Sequence, residues 1–322
     1  FYVESDETIL DAALRQGLAF PYGCRGGACG ACAGLITEGE IDYRGEEPMA
    51  ITEEERRAGK ALLCLASPRS DIQLQIREIG EVEIPPIEAQ GATVARIEKL
   101  NSDVMGLHLK PDVEGWPRYL AGQYMEVVIA DGERRAFSIA NPPHEGGALQ
   151  FHIRHIRGGQ FTERLFATVQ EGDRLTLRGP HGHFYLREGS DAPIIMLATG
   201  TGFGPIKAMV EYAIHEQWAR SIHLYWGARS KADLYLNALA QSWADDYPNI
   251  YYTPVLSRPD QGWPGRRGYV QTAAAEDFSD LTDHELYACG HPEMVYAARE
   301  ALIARGIDPD RCYSDAFEWV KR

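Results

Sequence analysis

The chain has 322 residues, 44% of them apolar and 25% charged, with a net charge of -15 at neutral pH. That length exceeds one ordinary core and predicts two or three domains of a soluble globular chain. The acidic balance argues against nucleic-acid and membrane partners, and no apolar run reaches the roughly 18 residues of a membrane span. No signal peptide is recognisable, so a cytoplasmic protein is expected, although a chain beginning at Phe1 can have been trimmed.

Charge is uneven along the chain: residues 1–90 carry 17 acidic and 8 basic side chains, the remainder 30 and 24. An acidic first quarter suits an encounter with a basic protein, and equally a plain solvated surface. Ile9, Leu10, Ala13 and Leu14 repeat with helical spacing, with Ser5 or Asp6 as cap and Gly17 as stop. Then comes "YGCRGGACGACAG", Tyr22 to Gly34, three cysteines in a glycine-rich stretch.

Six cysteines stand at 24, 29, 32, 64, 289 and 312. A disulfide framework does not suit so long a chain without an export signal. Cys24, Cys29 and Cys32 follow C-x4-C-x2-C, and Cys64 comes after 31 more residues, the plant-type spacing for a [2Fe-2S] cluster. Structural zinc generally takes paired C-x2-C knuckles or histidines, and only one such pair exists. Gly23, Gly26, Gly27, Gly30 and Gly34 permit a tight, positive-φ loop whose N–H groups reach the sulfides. Thr52 and Glu55 form a capping box ahead of "ALLCLASP", which carries Cys64. This arrangement resembles plant-type ferredoxins over residues 1 to about 85. The resemblance implies a β-grasp domain with Cys24, Cys29, Cys32 and Cys64 as metal ligands.

"EIPPIEAQG", Glu83 to Gly91, reads as a linker. Domains are therefore expected at 1–85, 92–188 and 189–322, with a linker at 86–91. From Ala92 six short alternating segments, from "ATVARIEKL" to "DRLTLRG", are separated by turn residues and predict an antiparallel β-barrel. Within it stand Arg135-Ala136-Phe137-Ser138 and, opening a helical stretch, Gly158-Gly159-Gln160-Phe161-Thr162. Together, after a ferredoxin, they resemble the flavin-binding barrel of the ferredoxin-NADP reductase superfamily.

That resemblance implies Arg135 on the FAD pyrophosphate, Phe137 against the isoalloxazine, Ser138 near its N5, and residues 158 to 162 receiving phosphate at a helix N-terminus. Ala136, His152, Ile153, Gly158, Gly159 and Thr162 complete the implied flavin contacts. Tyr is usual in the family where Phe137 stands, so a contact made by that hydroxyl is lost. "GPHGHF", Gly179 to Phe184, closes the barrel, with His181 and His183 read as structural or solvent-exposed.

From Pro193 the period changes. "IIMLATGTGFGP" is a strand running into a glycine turn, "IKAMVEYAIHEQ" is helical, and "IHLYWGA", "IYYTPVL" and "HELYACG" alternate with helices, predicting an α/β domain with a parallel sheet. The same superfamily pairs G-T-G-x-x-P, here Gly200, Thr201, Gly202 and Pro205, with C-G-x-P, here Cys289, Gly290 and Pro292. The resemblance implies a pyridine-nucleotide site with Cys289 beside the nicotinamide, and Arg229 is added as a nucleotide contact. Cys312 carries no motif and reads as a small buried hydrophobe. In "YSDAFEWV" Phe317 or Trp319 is the aromatic for the second flavin face, with Phe317 favoured.

Electrons are expected to run from NAD(P)H to FAD to the cluster, because hydride delivers two and the cluster accepts one. The catalytic residues are then Ser138, Cys289 and Phe317. The whole chain resembles the reductase components of bacterial mono- and dioxygenases, and more the CDP-6-deoxy-glucoseen reductases. A protein acceptor, either an oxygenase component or a deoxysugar dehydratase, is implied, with the reductase a monomer. Arg258, Arg266 and Arg267 could meet the 2′-phosphate of NADPH, but the family leans to NADH. A free flavin reductase or a redox sensor without turnover remains open.

Overall fold

The computed structural model describes residues 1–46, 48–76, 87–129 and 132–317. These divide into two compact units. The first takes those within Phe1–Glu83, Gly182–Phe184 and Ser314–Arg322, the second those within Ile84–His181 and Tyr185–Tyr313.

In the first unit α1 (Ile9–Arg15), β1 (Ala33–Glu38), β2 (Ile41–Asp42), α2 (Glu53–Arg57), β3 (Lys60–Leu62), β4 (Ser67–Pro68) and β5 (Gln73–Gln75) follow one another. β1 lies between β3 and β5, antiparallel to both, and β2 pairs with β4. The cap of α1 is Thr8, not Ser5 or Asp6. Thr8 has the extended backbone a cap needs directly before the first helical residue, and its hydroxyl accepts from the Asp11 N–H at 3.1 Å. The Thr52–Glu55 capping box forms as expected. Ile9, Leu10, Leu62, Leu63 and Ala66 are fully buried and tie the helix to the sheet. The Ile9 and Leu10 N–H groups donate to Ala66 O at 2.8 Å and Leu63 O at 3.0 Å. Two orphan donors of the first turn thus hold the stretch that carries Cys64.

The second unit begins with β6 (Glu88–Lys99), β7 (Val104–Pro111), β8 (Tyr124–Val128), β9 (Arg134–Ser138), β10 (Leu149–Arg154), α3 (Gln160–Ala167) and β11 (Arg174–His181). The six strands form one antiparallel sheet in the order β10-β7-β6-β11-β8-β9. Its two outer members meet, since Ile139 bridges to Phe151 and the Ala140 N–H donates to Gln150 O at 2.7 Å. Leu107, Leu109, Met125, Val127, Phe151 and Leu177 fill the interior. Glu88 to Gly91, expected as linker, is strand paired with Leu177 to Gly179 and its neighbours. The ladder is main-chain, so an exposed segment without alternation joins it unannounced.

The remainder of this unit runs β12 (Ile194–Thr199), α4 (Phe203–His215), β13 (Ile222–Ala228), α5 (Asn237–Asp246), β14 (Ile250–Leu256), β15 (Arg266–Arg267), α6 (Val270–Asp277), β16 (Glu285–Gly290), α7 (Pro292–Ile303) and β17 (Cys312–Ala316). The sheet order is β15-β14-β13-β12-β16-β17, and β15 through β16 are parallel. β12 and β16 are buried along nearly their whole length, as parallel strands covered on both faces are. The chain steps outward from β12 to β14 and returns on the other side at β16. That reversal creates a crevice at the carboxyl ends of β12 and β16, where α/β sheets bind ligands.

Candidate redox-cofactor sites

In the first unit Cys29, Cys32 and Cys64 are buried and Cys24 half-buried, and none of the six cysteines is in a disulfide. Arg25, Gly27 and Gly30 have φ of 62°, 82° and 74° and turn the loop back on itself. A Cβ on Gly27 would stand 2.4 Å from Leu65 Cδ1, so this glycine gives both the turn and the close packing. Backbone amides already point at sulfur: Cys24 N–H donates to Cys29 Sγ at 3.4 Å and Ala28 N–H to Cys24 Sγ at 3.3 Å. The hydrogen-bonded Cys64 thiol, and then burial, push the Cys32 thiol well up from its ordinary value.

The cysteines therefore associate as two pairs, Cys32 with Cys64 through their thiols and Cys24 with Cys29 through the Cys24 N–H. No three His, Cys, Asp or Glu side chains among the described residues surround a single ion. Four soft sulfur donors in two pairs, with amides aimed at them, fit a two-iron cluster.

In the second unit the two flavin motifs meet. Phe137 is half-buried with its ring centroid 5.3 Å from that of Phe161, and Ser138 pairs with Tyr124 across β8 and β9. The Arg135 guanidinium donates to Glu133 Oε2 at 2.9 Å and to Arg134 O at 2.8 Å. Ala136 is exposed on β9. Gly158 has φ of 75°, and its N–H donates to Glu163 Oε1 at 2.9 Å. Gly159 caps α3 without a side-chain bond, which leaves main-chain donors at the helix start. The Thr162 hydroxyl is spent locally, donating to Ile156 O at 3.0 Å and accepting from its N–H at 3.1 Å. Ile153 is buried in the sheet interior.

His152 is buried, with Nδ1 3.1 Å from Tyr235 Oη, and burial followed by Lys207 pushes its imidazole down to about 3. Gly204 packs here as well, its missing Cβ 3.4 Å from Ala140 Cβ and 3.6 Å from His152 Nδ1. This contact sets the start of α4 against β10 of the antiparallel sheet.

The nucleotide motifs are in backbone contact. A Cβ on Gly202 would lie 2.3 Å from Cys289 O, and one on Gly290, φ 133°, would lie 2.3 Å from Thr199 Oγ1. The His291 N–H donates to that same hydroxyl at 3.0 Å. Both motifs therefore sit at the mouth of the crevice, with Cys289 fully buried, Pro205 in the first turn of α4 and Pro292 opening α7. Trp226 Nε1 donates to Gly200 O at 3.1 Å, and its ring stacks on Phe203 with centroids 3.7 Å apart.

Arg229 is exposed just past β13, and its carbonyl accepts from the Arg258 N–H at 2.9 Å. Arg266 bonds Ala273 O at 3.2 Å and pairs with Asp277, while Arg267 NH2 lies 3.3 Å from Trp263 O. Phe317 is half-buried and falls in the first unit, and Trp319 lies outside the described residues. Cys312, expected as a small buried hydrophobe, is half-buried: its thiol lies 3.6 Å from Asp308 O at a turn, and burial pushes it up to about 11.

No motif marks Arg154, whose guanidinium lies 3.0 Å from the missing Cβ of Gly200 and 3.2 Å from Asp103 Oδ2. Its only sign was a charge ending the alternating "FHIR". Tyr235 had no sign at all.

Comparison with known proteins agrees with this division. The model of a 2Fe-2S iron-sulfur cluster binding domain matches residues 1–69, that of an oxidoreductase FAD-binding domain residues 91–185, and that of an oxidoreductase NAD-binding domain residues 196–300. The protein is an oxidoreductase whose domains bind [2Fe-2S], FAD and NAD, and electrons pass from nicotinamide through FAD to the cluster.

The chain belongs to the family of reductases that join these three domains in one polypeptide. It is 37% identical over 317 residues to CDP-6-deoxy-L-threo-D-glycero-4-hexulose-3-dehydrase reductase of Yersinia pestis, covering 98% of this chain and 95% of that one. It is 33% identical to reductase component 1 of terephthalate 1,2-dioxygenase of Comamonas sp, over 97% and 92% of the two chains. Among solved structures it is similar to the cytochrome P450 reductase GcoB of Amycolatopsis, with a TM-score of 0.78, 31% identity and 98% and 96% coverage. No helix among the described residues is long and apolar enough to cross a membrane.

Proposed function

We propose that this reductase takes hydride from NADH and delivers single electrons to a partner protein, a deoxysugar dehydratase by its 37% likeness to such a reductase, with an oxygenase component as the alternative acceptor. The observation that carries the reading is the backbone contact between Gly202 and Cys289, which brings the G-T-G-x-x-P and C-G-x-P segments together in the unit that also holds the flavin motifs. FAD, when bound, supplies the conversion of an electron pair into single electrons. The meeting of Ile139 with Phe151 supports a closed barrel around the flavin motifs.

Arg135 would leave Glu133 for the FAD phosphates, where a guanidinium fork gives charge-assisted bonds. Gly158, Gly159 and the N–H groups opening α3 would receive phosphate, with Glu163 released from Gly158. Phe137 would give a ring face without a hydroxyl, and Ser138 a hydrogen bond to the flavin edge. Gly200, Thr201, Gly202, Gly290 and Pro292 would line the nucleotide crevice, with Cys289 by the nicotinamide and Arg229 at its outer edge. Cys24 with Cys29 and Cys32 with Cys64 would hold the two irons of a β-grasp ferredoxin.

NADH is favoured because Arg266 is paired with Asp277 and Arg267 lies against the Trp263 carbonyl, which leaves fewer guanidinium groups for a 2′-phosphate. Six cysteines outside disulfides suit a reducing compartment and a cytoplasmic monomer. The test is an anaerobic titration with NADH and, separately, NADPH. Bleaching of flavin and cluster bands by NADH at lower concentration supports the reading. Flavin bleaching with the cluster left oxidised sinks the electron path, and preference for NADPH sinks the coenzyme assignment. Reconstitution with a hexulose dehydratase or an oxygenase component then decides the acceptor.

A further inference from the structure

Two segments far away in sequence grip the cysteine loop inside the first unit. Gly182–Phe184 lies between β11 and the stretch resuming at Tyr185, yet packs with the first unit, and so does the chain from Ser314. The His183 N–H donates to Tyr22 O at 2.7 Å, and the Tyr22 N–H donates to His183 Nδ1 at 3.1 Å. The two rings meet edge to face with centroids 4.7 Å apart. Tyr22 stands two residues before Cys24. At the other end of the same turn, Ser314 Oγ donates to Cys29 O at 2.8 Å, and Ser314 O lies 3.2 Å from the missing Cβ of Gly23. Tyr22, His183 and Ser314 are all buried.

A loop this rich in glycine has little stiffness of its own, since glycine loses the most conformational freedom on ordering. Its internal N–H to sulfur contacts, at 3.3 and 3.4 Å, are weak. Anchors from outside the loop must therefore hold its shape, and the pair of bonds at Tyr22 and the bond at Cys29 bracket the segment that carries the first two cysteines. We propose that His183 and Ser314 are positioning residues for the cluster: through Tyr22 and Cys29 they hold the sulfurs and amides of Cys24 to Cys29 in the arrangement that retains iron and receives an electron. The fold thus makes the cluster loop depend on residues that the ferredoxin-like stretch of sequence does not contain.

The proposal rests on the reading of Cys24 and Cys29 as ligands. Purified full-length wild type without iron would overturn that reading, whereas the comparisons below test the anchors alone. Full-length His183→Leu, His183→Asn and Ser314→Ala are to be purified anaerobically. The readouts are iron content, the rate of cluster bleaching with a chelator, the EPR spectrum of the reduced cluster, and single-turnover flavin bleaching by NADH.

His183→Leu should lose its cluster about five-fold faster, the factor one buried hydrogen bond carries, with a shifted EPR signal and an unchanged flavin step. His183→Asn places an amide oxygen near the Nδ1 position and should restore both. Ser314→Ala should change the same readouts in the same direction by about two- to five-fold, and decides the matter if His183→Leu does not fold. Wild-type bleaching rates and spectra in both His183→Leu and Ser314→Ala, failure of His183→Asn to rescue, or a parallel loss of the flavin step would each overturn the proposal.

Discussion

The cysteine loop and the nucleotide turn are both rich in glycine, and glycine does different work in each. In the loop Gly27 and Gly30 take φ of 82° and 74°, so the residues supply a backbone path that side-chain-bearing residues rarely follow. In the nucleotide turn Gly202 has an ordinary helical φ of -59°, and what matters is the missing Cβ, whose place would lie 2.3 Å from Cys289 O. The loop uses glycine for curvature around sulfur as well as for close packing, whereas at Gly202 glycine serves only the approach of two main chains. The loop is consequently soft and held from outside by His183 and Ser314, while the turn is locked between two buried parallel strands.

The sharpest way to break this comparison is Cys64→Ser. A hydroxyl is a poor ligand for iron where a thiolate is wanted, so iron and the cluster band should disappear, along with delivery to one-electron protein acceptors, while NADH still bleaches FAD. Iron analysis with an anaerobic spectrum checks this, and loss of flavin bleaching as well would show that the two regions do not function separately.

Gly202→Ala tests the other side. The added methyl forces the turn away from Cys289, overpacking on the order of 1–3 kcal/mol, and KM for NADH should rise about ten-fold or more with cluster content unchanged. A variant with wild-type KM would mean that the close approach does not shape the crevice.

Arg135→Leu should weaken FAD by about ten-fold or more, the value of a charge-assisted hydrogen bond, read from flavin fluorescence on dilution. Unchanged flavin retention would remove Arg135 from the site.

Acidification sharpens the comparison by stability. Burial, with Lys207 adding to it, holds His152 down to about 3, against about 6.5 in the unfolded chain. The unfolded state therefore takes the proton first, and the stability His152 contributes is complete above pH 6.5 and lost as pH falls toward 3. His152→Asn keeps an acceptor for Tyr235 and should lose about 1.5 kcal/mol less than wild type between pH 6.5 and 5. Denaturant melts at the two pH values measure it, and an equal loss in both proteins would refute the assignment.

The smallest effect is expected from Phe137→Tyr. A restored hydroxyl at one flavin contact should tighten FAD by less than about five-fold, as judged by equilibrium dialysis, and a larger gain would mean that the position governs flavin affinity.

Much of this was legible in the chain itself, because local chemistry was enough. The C-x4-C-x2-C spacing with Cys64, the Thr52 capping box, the six alternating segments and the apolar runs "IIMLAT" and "ELYACG" each follow from short-range rules of ligand spacing, hydrogen-bond satisfaction or side-chain period. The cap of α1 was misplaced by two or three residues because Ser5, Asp6 and Thr8 share the same capping chemistry, and only backbone dihedrals choose among them. Glu88 to Gly91 was missed because main-chain pairing leaves no side-chain signature.

Tertiary structure alone decided the rest. That Gly202 abuts Cys289, that Arg154 stands over Gly200, that Tyr235 holds His152, and that His183 and Ser314 reach the cysteine loop are contacts across 83 to 285 residues of chain for the hydrogen-bonded pairs among them. The sequence determined which cofactors this protein binds, since ligand types and turn residues are written locally. How those sites are stiffened and placed is a property of packing, where one side chain's partner is fixed by the fold and by no period in the chain.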